Sequence, residues 1–159
     1  MNGQRQARWI VSGIVEAPVE AVADVLCAIQ AGPVNDHNGI VLATEGLAAF
    51  GEIVLSGGPR QFTATVGTPP VTSVEVDVDR EHRRVAVQGH FWYRGIYTVE
   101  PHERGSRIVY RAENIARGVV GRLVPLWQRR FDRDMRERLA RLLQAMGTIL
   151  GCAAYPTAA

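Results

Sequence analysis

Apolar and polar residues alternate with a period of two in several short stretches of this chain. In the first, residues 9–15, Trp9, Val11 and Val15 fall on one face. In residues 72–79 the valines alternate with polar and acidic residues. This period is typical of strands that bury one face and expose the other.

Six further stretches have strand character, and short turns rich in glycine, proline or acidic residues separate most of them. They are residues 40–44, 51–56, 61–66, 84–93, 95–100 and 107–114. Residues 84–100 form either two strands or one long bent strand. Helical crossovers between these strands are absent from the pattern, so we expect an antiparallel sheet of six or seven strands rather than a parallel one.

Two segments have the period of a helix. Residues 18–29 begin at a proline that suits a first helical position. From about residue 118 to residue 150, one apolar stripe consists of Val120, Val124, Trp127, Phe131, Met135, Leu139, Leu142, Met146 and Ile149. Pro125 either kinks this helix or begins it. Residues 152–159 are expected to be a loose tail.

Three short motifs occur in an order that resembles the SRPBCC superfamily, which includes START lipid carriers and polyketide cyclase/dehydrase-like proteins. They are residues 15–18 followed by Val22, residues 97–101, and residues 105–107. The resemblance implies an α+β helix-grip fold, with a curved antiparallel sheet wrapped around a long C-terminal helix. It implies one domain over residues 1–159, with a core at about residues 8–150. Residues 32–37 lack the tryptophan that is common there in the family, so the pocket entrance is expected to differ.

In this family the concave face of the sheet and the inner face of the last helix line a cavity. Strand alternation directs Tyr97 and Tyr110 inward, where a hydroxyl on an apolar ring orients a ligand. Small residues in the strands favour a cavity over a solid core, because they leave space there. These residues are Ala64, Gly89, Gly95 and Ala112.

The sequence does not decide which side chains of residues 89–95 face inward, because a glycine can mark a bulge that reverses the alternation. Either Phe91 and Tyr93 point inward, or His90, Trp92 and Arg94 do. The expected ligand-binding residues are Phe91, Tyr93, Tyr97, Tyr110, Trp127, Phe131 and Met135. Catalytic candidates, none of them firm, are His90, Tyr97 and Tyr110.

Composition excludes several kinds of chemistry. All 18 basic residues of the 159-residue chain are arginine, so a catalytic lysine that forms a Schiff base is excluded. Cys27 and Cys152 have no metal or redox spacing, and we predict no cofactor and no metal. Neither a signal peptide nor an integral membrane segment is apparent, so a cytoplasmic protein is expected.

The last helix carries many arginines, but acidic residues lie four positions before several of them. The pairs are Asp132 with Arg136, Asp134 with Arg138, and Glu137 with Arg141. Together with a net charge of only +2, this pattern favours a solvated helical face over a nucleic-acid surface.

We therefore expect a domain that binds or transports an apolar small molecule, such as a lipid, a polyketide or an isoprenoid, without catalysing a reaction. A polyketide cyclase or dehydratase is the first alternative, and it needs polar groups that converge in the pocket. A protein-interaction regulator is the second, and its signature is a collapsed pocket with an exposed apolar patch. A homodimer is left open.

Overall fold

The computed structural model describes residues 8–89, 93–114 and 128–157. Within these ranges nine strands form one antiparallel sheet. The strands are β1 (Arg8–Val15), β2 (Gly32–Pro33), β3 (Ile53–Gly57), β4 (Gln61–Val66), β5 (Thr72–Asp79), β6 (Arg84–Gln88), β7 (Tyr93–His102), β8 (Gly105–Asn114) and β9 (Ala154–Pro156). The helices are α1 (Val19–Leu26), α2 (Ile40–Thr44), a 3-10 turn (Leu47–Phe50) and α3 (Gln128–Leu150).

The sheet is curved and open, and its strand order is β2-β3-β4-β5-β6-β7-β8-β1-β9. Strands β3 to β8 follow one another in sequence and in space, because short connections permit only antiparallel neighbours. Strand β1 pairs antiparallel with β8, with Val11 opposite Tyr110. The predicted helix-grip fold is confirmed.

Helix α3 packs against β1, β9 and α2. Its inward stripe includes Phe131, Met135, Leu139, Leu142 and Met146, all of which are buried. The predicted apolar stripe is therefore confirmed over the described part of the helix. Ile149, the last residue of the stripe, is partly buried and packs against the core. Val120, Val124 and Trp127 of the predicted stripe lie outside the described residues, as does Pro125.

The prediction of a strand at residues 40–44 is wrong, because this segment is helix α2. Gly39 precedes it in a left-handed conformation, and the backbone amides of Leu42 and Ala43 donate to its carbonyl at 2.9 and 3.1 Å. Ile40, Val41 and Leu42 are all buried. Such a short apolar run does not by itself distinguish a buried strand from a buried helical turn.

The loose tail is also wrong for residues 154–156, which form edge strand β9 on β1. The Thr157 amide donates to the Ser12 carbonyl and the Glu16 amide to the Ala153 carbonyl, both at 2.9 Å. With the edge strands β2 and β9, the sheet has nine strands, whereas six or seven were expected. Residues 84–100 form two strands, β6 and β7, with Gln88 opposite Arg94, and not one bent strand.

Gly13 lies where α3 packs directly on strand β1. A Cβ atom built there would overlap the side chain of Leu143 and lie 3.0 Å from the carbonyl oxygen of Tyr155. The absence of a side chain at this position lets α3 and β9 both pack on β1.

We predict that Gly13→Ala destabilises the fold by about 1–3 kcal/mol, because the added methyl group overpacks this contact. Urea unfolding of both chains measures the change. Ile10→Val on the exposed face of the same strand is the control and should change stability by less than about 0.5 kcal/mol. Equal stability of Gly13→Ala and the natural chain would contradict the packing described here.

Candidate functional site

Two tyrosine rings stack in the centre of the sheet. Tyr97 on β7 and Tyr110 on β8 are directly opposite in the strand register. Their ring centroids are 4.2 Å apart and their planes differ by 5°. Their exposed fractions are 1% and 0%, so both rings belong to the interior of the domain. Their function in ligand binding stays a prediction.

Gly95 makes room for this stack. It lies opposite Ala112 on the neighbouring strand, and a Cβ atom built on it would be 3.0 Å from Cε2 and 3.3 Å from the hydroxyl oxygen of Tyr110. The small residue at position 95 was expected to leave space for a ligand. In the structure the ring of Tyr110 occupies the space beside it.

A carboxyl group faces the stack from another element. Glu45 follows the last residue of α2, and its Oε1 accepts a hydrogen bond of 2.9 Å from the hydroxyl of Tyr97. The residue is partly buried, and its Oε1 lies against the buried hydroxyl of Tyr97. An acid, a phenol and a second phenol therefore lie together between the sheet and the helices.

Glu45 is not among the site residues predicted from the sequence. Residues 40–44 have the apolar pattern of a strand, and Glu45 directly follows them. One signal was available. Glu45 is the only ionisable residue between His37 and Glu52, within an otherwise apolar run. A lone acid in such a run needs a partner once the run is buried.

Burial raises the pKa of the Glu45 carboxyl above its usual value. The positive charge of Arg138 and the hydrogen bond from Tyr97 act in the opposite direction and offset part of this increase. Burial, followed by the charge of Glu45, raises the pKa of Tyr97 well above its usual value. Tyr97 is therefore a neutral hydrogen-bond donor, and Glu45 is a carboxyl group suited to exchange a proton.

Helix α3 holds the backbone beside Glu45. The Nε of Arg141 donates to the carbonyl oxygen of Thr44 at 2.8 Å, which is part of the peptide bond to Glu45. Arginine often satisfies the free carbonyl groups at a helix C-terminus in this way. Arg141 was expected to pair with Glu137, but Glu137 accepts a hydrogen bond of 3.2 Å from Arg133.

The helix side of the interior is apolar. Phe131 packs its ring edge-on against Trp9 of β1, with centroids 5.0 Å apart, and Met135 is fully buried. Trp127, which was predicted to bind ligand beside them, lies outside the described residues.

Among the side chains whose inward or outward direction the sequence leaves open, the structure describes only that of Arg94. Its guanidinium donates to Oδ2 of Asp77 at 3.1 Å on the outer, acidic face of the sheet. The possibility that Arg94 points inward is therefore wrong. The other residues in question, His90, Phe91, Trp92 and the side chain of Tyr93, lie outside the described part of the chain.

A groove runs along the edge of the sheet. This edge groove, of about 550 Å³, separates β1 and β9 from the outer flank of α3. Apolar groups form much of its surface, and among its lining residues are Ile10, Ala140, Pro156 and Arg136. It is a separate place where an apolar molecule could bind, so experiments must distinguish it from the interior.

The sequence of the chain identifies its family. Residues 10–147 match the family described as "Polyketide cyclase / dehydrase and lipid transport". The chain belongs to this family. Membership supports a ligand-binding domain and leaves binding and catalysis as alternatives. No curated protein matches the chain.

Solved structures of similar fold come from several organisms. TTHA0849 from Thermus thermophilus is 18% identical, with a TM-score of 0.53 over 91% of this chain and 98% of that one. The Zhui aromatase/cyclase from Streptomyces sp. R1128 is 15% identical, with a TM-score of 0.54 over 91% and 95%. Norcoclaurine synthase from Thalictrum flavum is 12% identical, with a TM-score of 0.51 over 94% and 95%. At these identities the likeness shows the fold alone.

Residues 8–89, 93–114 and 128–157 contain neither a metal-binding cluster nor a helix that could span a membrane. In that part of the chain, no group of three or more histidine, cysteine, aspartate or glutamate side chains is arranged to hold a metal ion. No helix within it is both long and apolar enough to cross a membrane.

We predict that Glu45→Gln stabilises the fold at about pH 8, because an amide accepts the Tyr97 hydrogen bond without a buried charge. A carboxyl whose pKa is raised on folding stabilises the folded state below its unfolded pKa, and this contribution is lost as the pH rises through the folded pKa. Each unit of elevation corresponds to about 1.4 kcal/mol. The advantage of the variant should therefore shrink at about pH 4, below the usual glutamate value of 4.5.

Urea unfolding of both chains at the two pH values provides the measurement. Other titrating groups cancel in the difference between the chains. A variant that is less stable than the natural chain at the higher pH would show that the ionised carboxyl is stabilised in place.

Proposed function

We propose that this domain binds an apolar small molecule between the inner face of the sheet and α3, with Glu45 and Tyr97 at the polar end of the ligand. The observation that carries the proposal is the hydrogen bond from the Tyr97 hydroxyl to Glu45 beside the stacked ring of Tyr110. In a core that binds no ligand, the Glu45 carboxyl would only add a desolvation cost, because an apolar side chain would fill the same volume without it.

The surroundings of this pair suit an apolar ligand. Tyr97 belongs to the same buried apolar cluster as Met135 and Leu139 of α3. Methionine adapts its shape to different partners because its side chain is unbranched and flexible. Removing about 300 Å² of ligand surface from water yields about 7 kcal/mol at roughly 25 cal/mol per Å², before the cost of association reduces it.

Binding can be observed without changing the interior. We predict that N-phenyl-1-naphthylamine, a neutral fluorescent probe, shifts the ring signals of Tyr97 and Tyr110 in an NMR titration of chain labelled on tyrosine rings. Tyr155, whose hydroxyl donates to Glu16 near the surface, is the internal control. Probe binding that shifts only Tyr155, or no tyrosine at all, would contradict the proposed location.

A pair of variants on α3 separates the interior from the edge groove. Met135→Trp fills the interior, whereas Ala140→Trp fills the groove from the same helix. We expect the first variant to weaken probe binding by at least about tenfold, which corresponds to about 1.4 kcal/mol, and the second to leave it unchanged. Circular dichroism checks that each variant folds, and the tyrosine titration stands if Met135→Trp does not.

A second candidate is a cyclase or dehydratase, and the raised pKa of Glu45 favours it. Such a carboxylate removes a proton from the carbon next to a carbonyl group of a bound ketone and holds that proton itself. His90 stays a catalytic prediction of the sequence.

Hydrogen–deuterium exchange at the methyl group of 2-acetylnaphthalene in D₂O tests this second candidate. If it is correct, the natural chain accelerates exchange by about 100-fold or more over buffer, and Glu45→Gln removes the acceleration but retains probe binding. An exchange rate equal to that in buffer, with the ketone bound, would leave simple binding as the function.

A further inference from the structure

We infer that the polar end of the ligand is a neutral hydrogen-bond donor, such as an alcohol or a phenol, and not a carboxylate. This inference rests on the proposed function and concerns the chemistry that Glu45 and Tyr97 present to a bound molecule. It follows from a count of donors and acceptors at the two side chains.

Tyr97 has one hydroxyl hydrogen, and this hydrogen is already used. It lies on the 2.9 Å hydrogen bond to Oε1 of Glu45. The lone pairs of the phenol oxygen can only accept a hydrogen bond. A ligand carbonyl that approached Tyr97 would therefore compete with Glu45 for the same hydrogen.

Glu45 also presents acceptors. Oε1 accepts from Tyr97, and the described residues provide no hydrogen bond to Oε2. An ionised carboxylate accepts hydrogen bonds and donates none. The second oxygen is therefore a natural partner for a hydroxyl group of the ligand, and charge-assisted hydrogen bonds of this kind are the stronger ones.

The negative charge of Glu45 disfavours an anion next to it. The positive charge of Arg138 lowers the pKa of Glu45, and the Nε of Arg141 donates to the Thr44 carbonyl. A ligand carboxylate that approached Oε2 would place two like charges in contact, whereas a neutral hydroxyl would donate a hydrogen bond to the same oxygen. Fatty acids are therefore expected to bind poorly, and fatty alcohols and phenols well.

Three fluorescent probes with the same ring test this inference. They are 2-naphthylmethanol, its methyl ether and 2-naphthoate, which differ in having a donor, an acceptor only, and a negative charge. At about pH 8 we expect the alcohol to bind about tenfold more tightly than the ether, and the naphthoate to bind most weakly. Fluorescence titration measures all three dissociation constants.

Two variants connect the preference to the site. Glu45→Gln introduces N–H donors, so the preference for the alcohol over the ether should fall toward one. Glu16→Gln is the matched control, because Glu16 also accepts a tyrosine hydrogen bond, from Tyr155, but at the surface. This control should keep the preference of the natural chain.

The outcomes separate this inference from the proposed function. Equal affinity for alcohol and ether, or tightest binding of the naphthoate, would overturn donor recognition while apolar binding stands. A preference that survives Glu45→Gln would place the recognition elsewhere and also overturn the inference. If none of the three probes binds, the proposed function fails and this inference fails with it.

Discussion

A partly buried carboxyl group beside two stacked phenol rings is the constraint around which the interior of this domain is arranged. Glu45 has a raised pKa because burial disfavours its charge, and the hydrogen bond from Tyr97 offsets only part of that penalty. The surrounding structure supports the arrangement. The lack of a side chain at Gly95 admits the ring of Tyr110, and Arg141 of α3 fixes the peptide bond that leads to Glu45.

This arrangement connects the three structural layers of the domain. The tyrosines belong to neighbouring strands of the sheet, the acid to a short helix, and the arginine to the C-terminal helix. Each of these side chains, taken alone, makes contacts that are ordinary in a protein interior. Together they place one acid and one phenol in contact within an apolar interior, which is the composition of a site for an apolar molecule with one polar group.

Much of the fold could be predicted from the sequence, because period-two alternation and short turns leave few arrangements for consecutive strands. Strands β4 and β5 begin and end where alternation predicted. The failures share a physical cause. Helix α2 and strand β9 depend on contacts from distant parts of the chain, such as the hydrogen bond between Thr157 and Ser12. Local periodicity contains no information about such contacts.

The candidate site was predictable only on the sheet side. Tyr97 and Tyr110 lie on strands in which apolar and polar residues alternate, so the sequence predicts that both side chains face inward. The sequence pattern does not reveal Glu45, because its role depends on a partner 52 positions away and on a short helix where the pattern predicts a strand. The function of a residue at the end of an irregular segment depends on tertiary placement.

Intermolecular nuclear Overhauser effects would locate a bound ligand directly. The chain is labelled at the methyl groups of methionine, isoleucine and alanine and on the tyrosine rings, with 2-naphthylmethanol bound. We predict contacts from the probe ring to Met135, on the inner face of α3, and to the ring of Tyr97. Contacts confined to Ile10 and Ala140 would place the molecule in the edge groove and contradict a ligand site between the sheet and the helix.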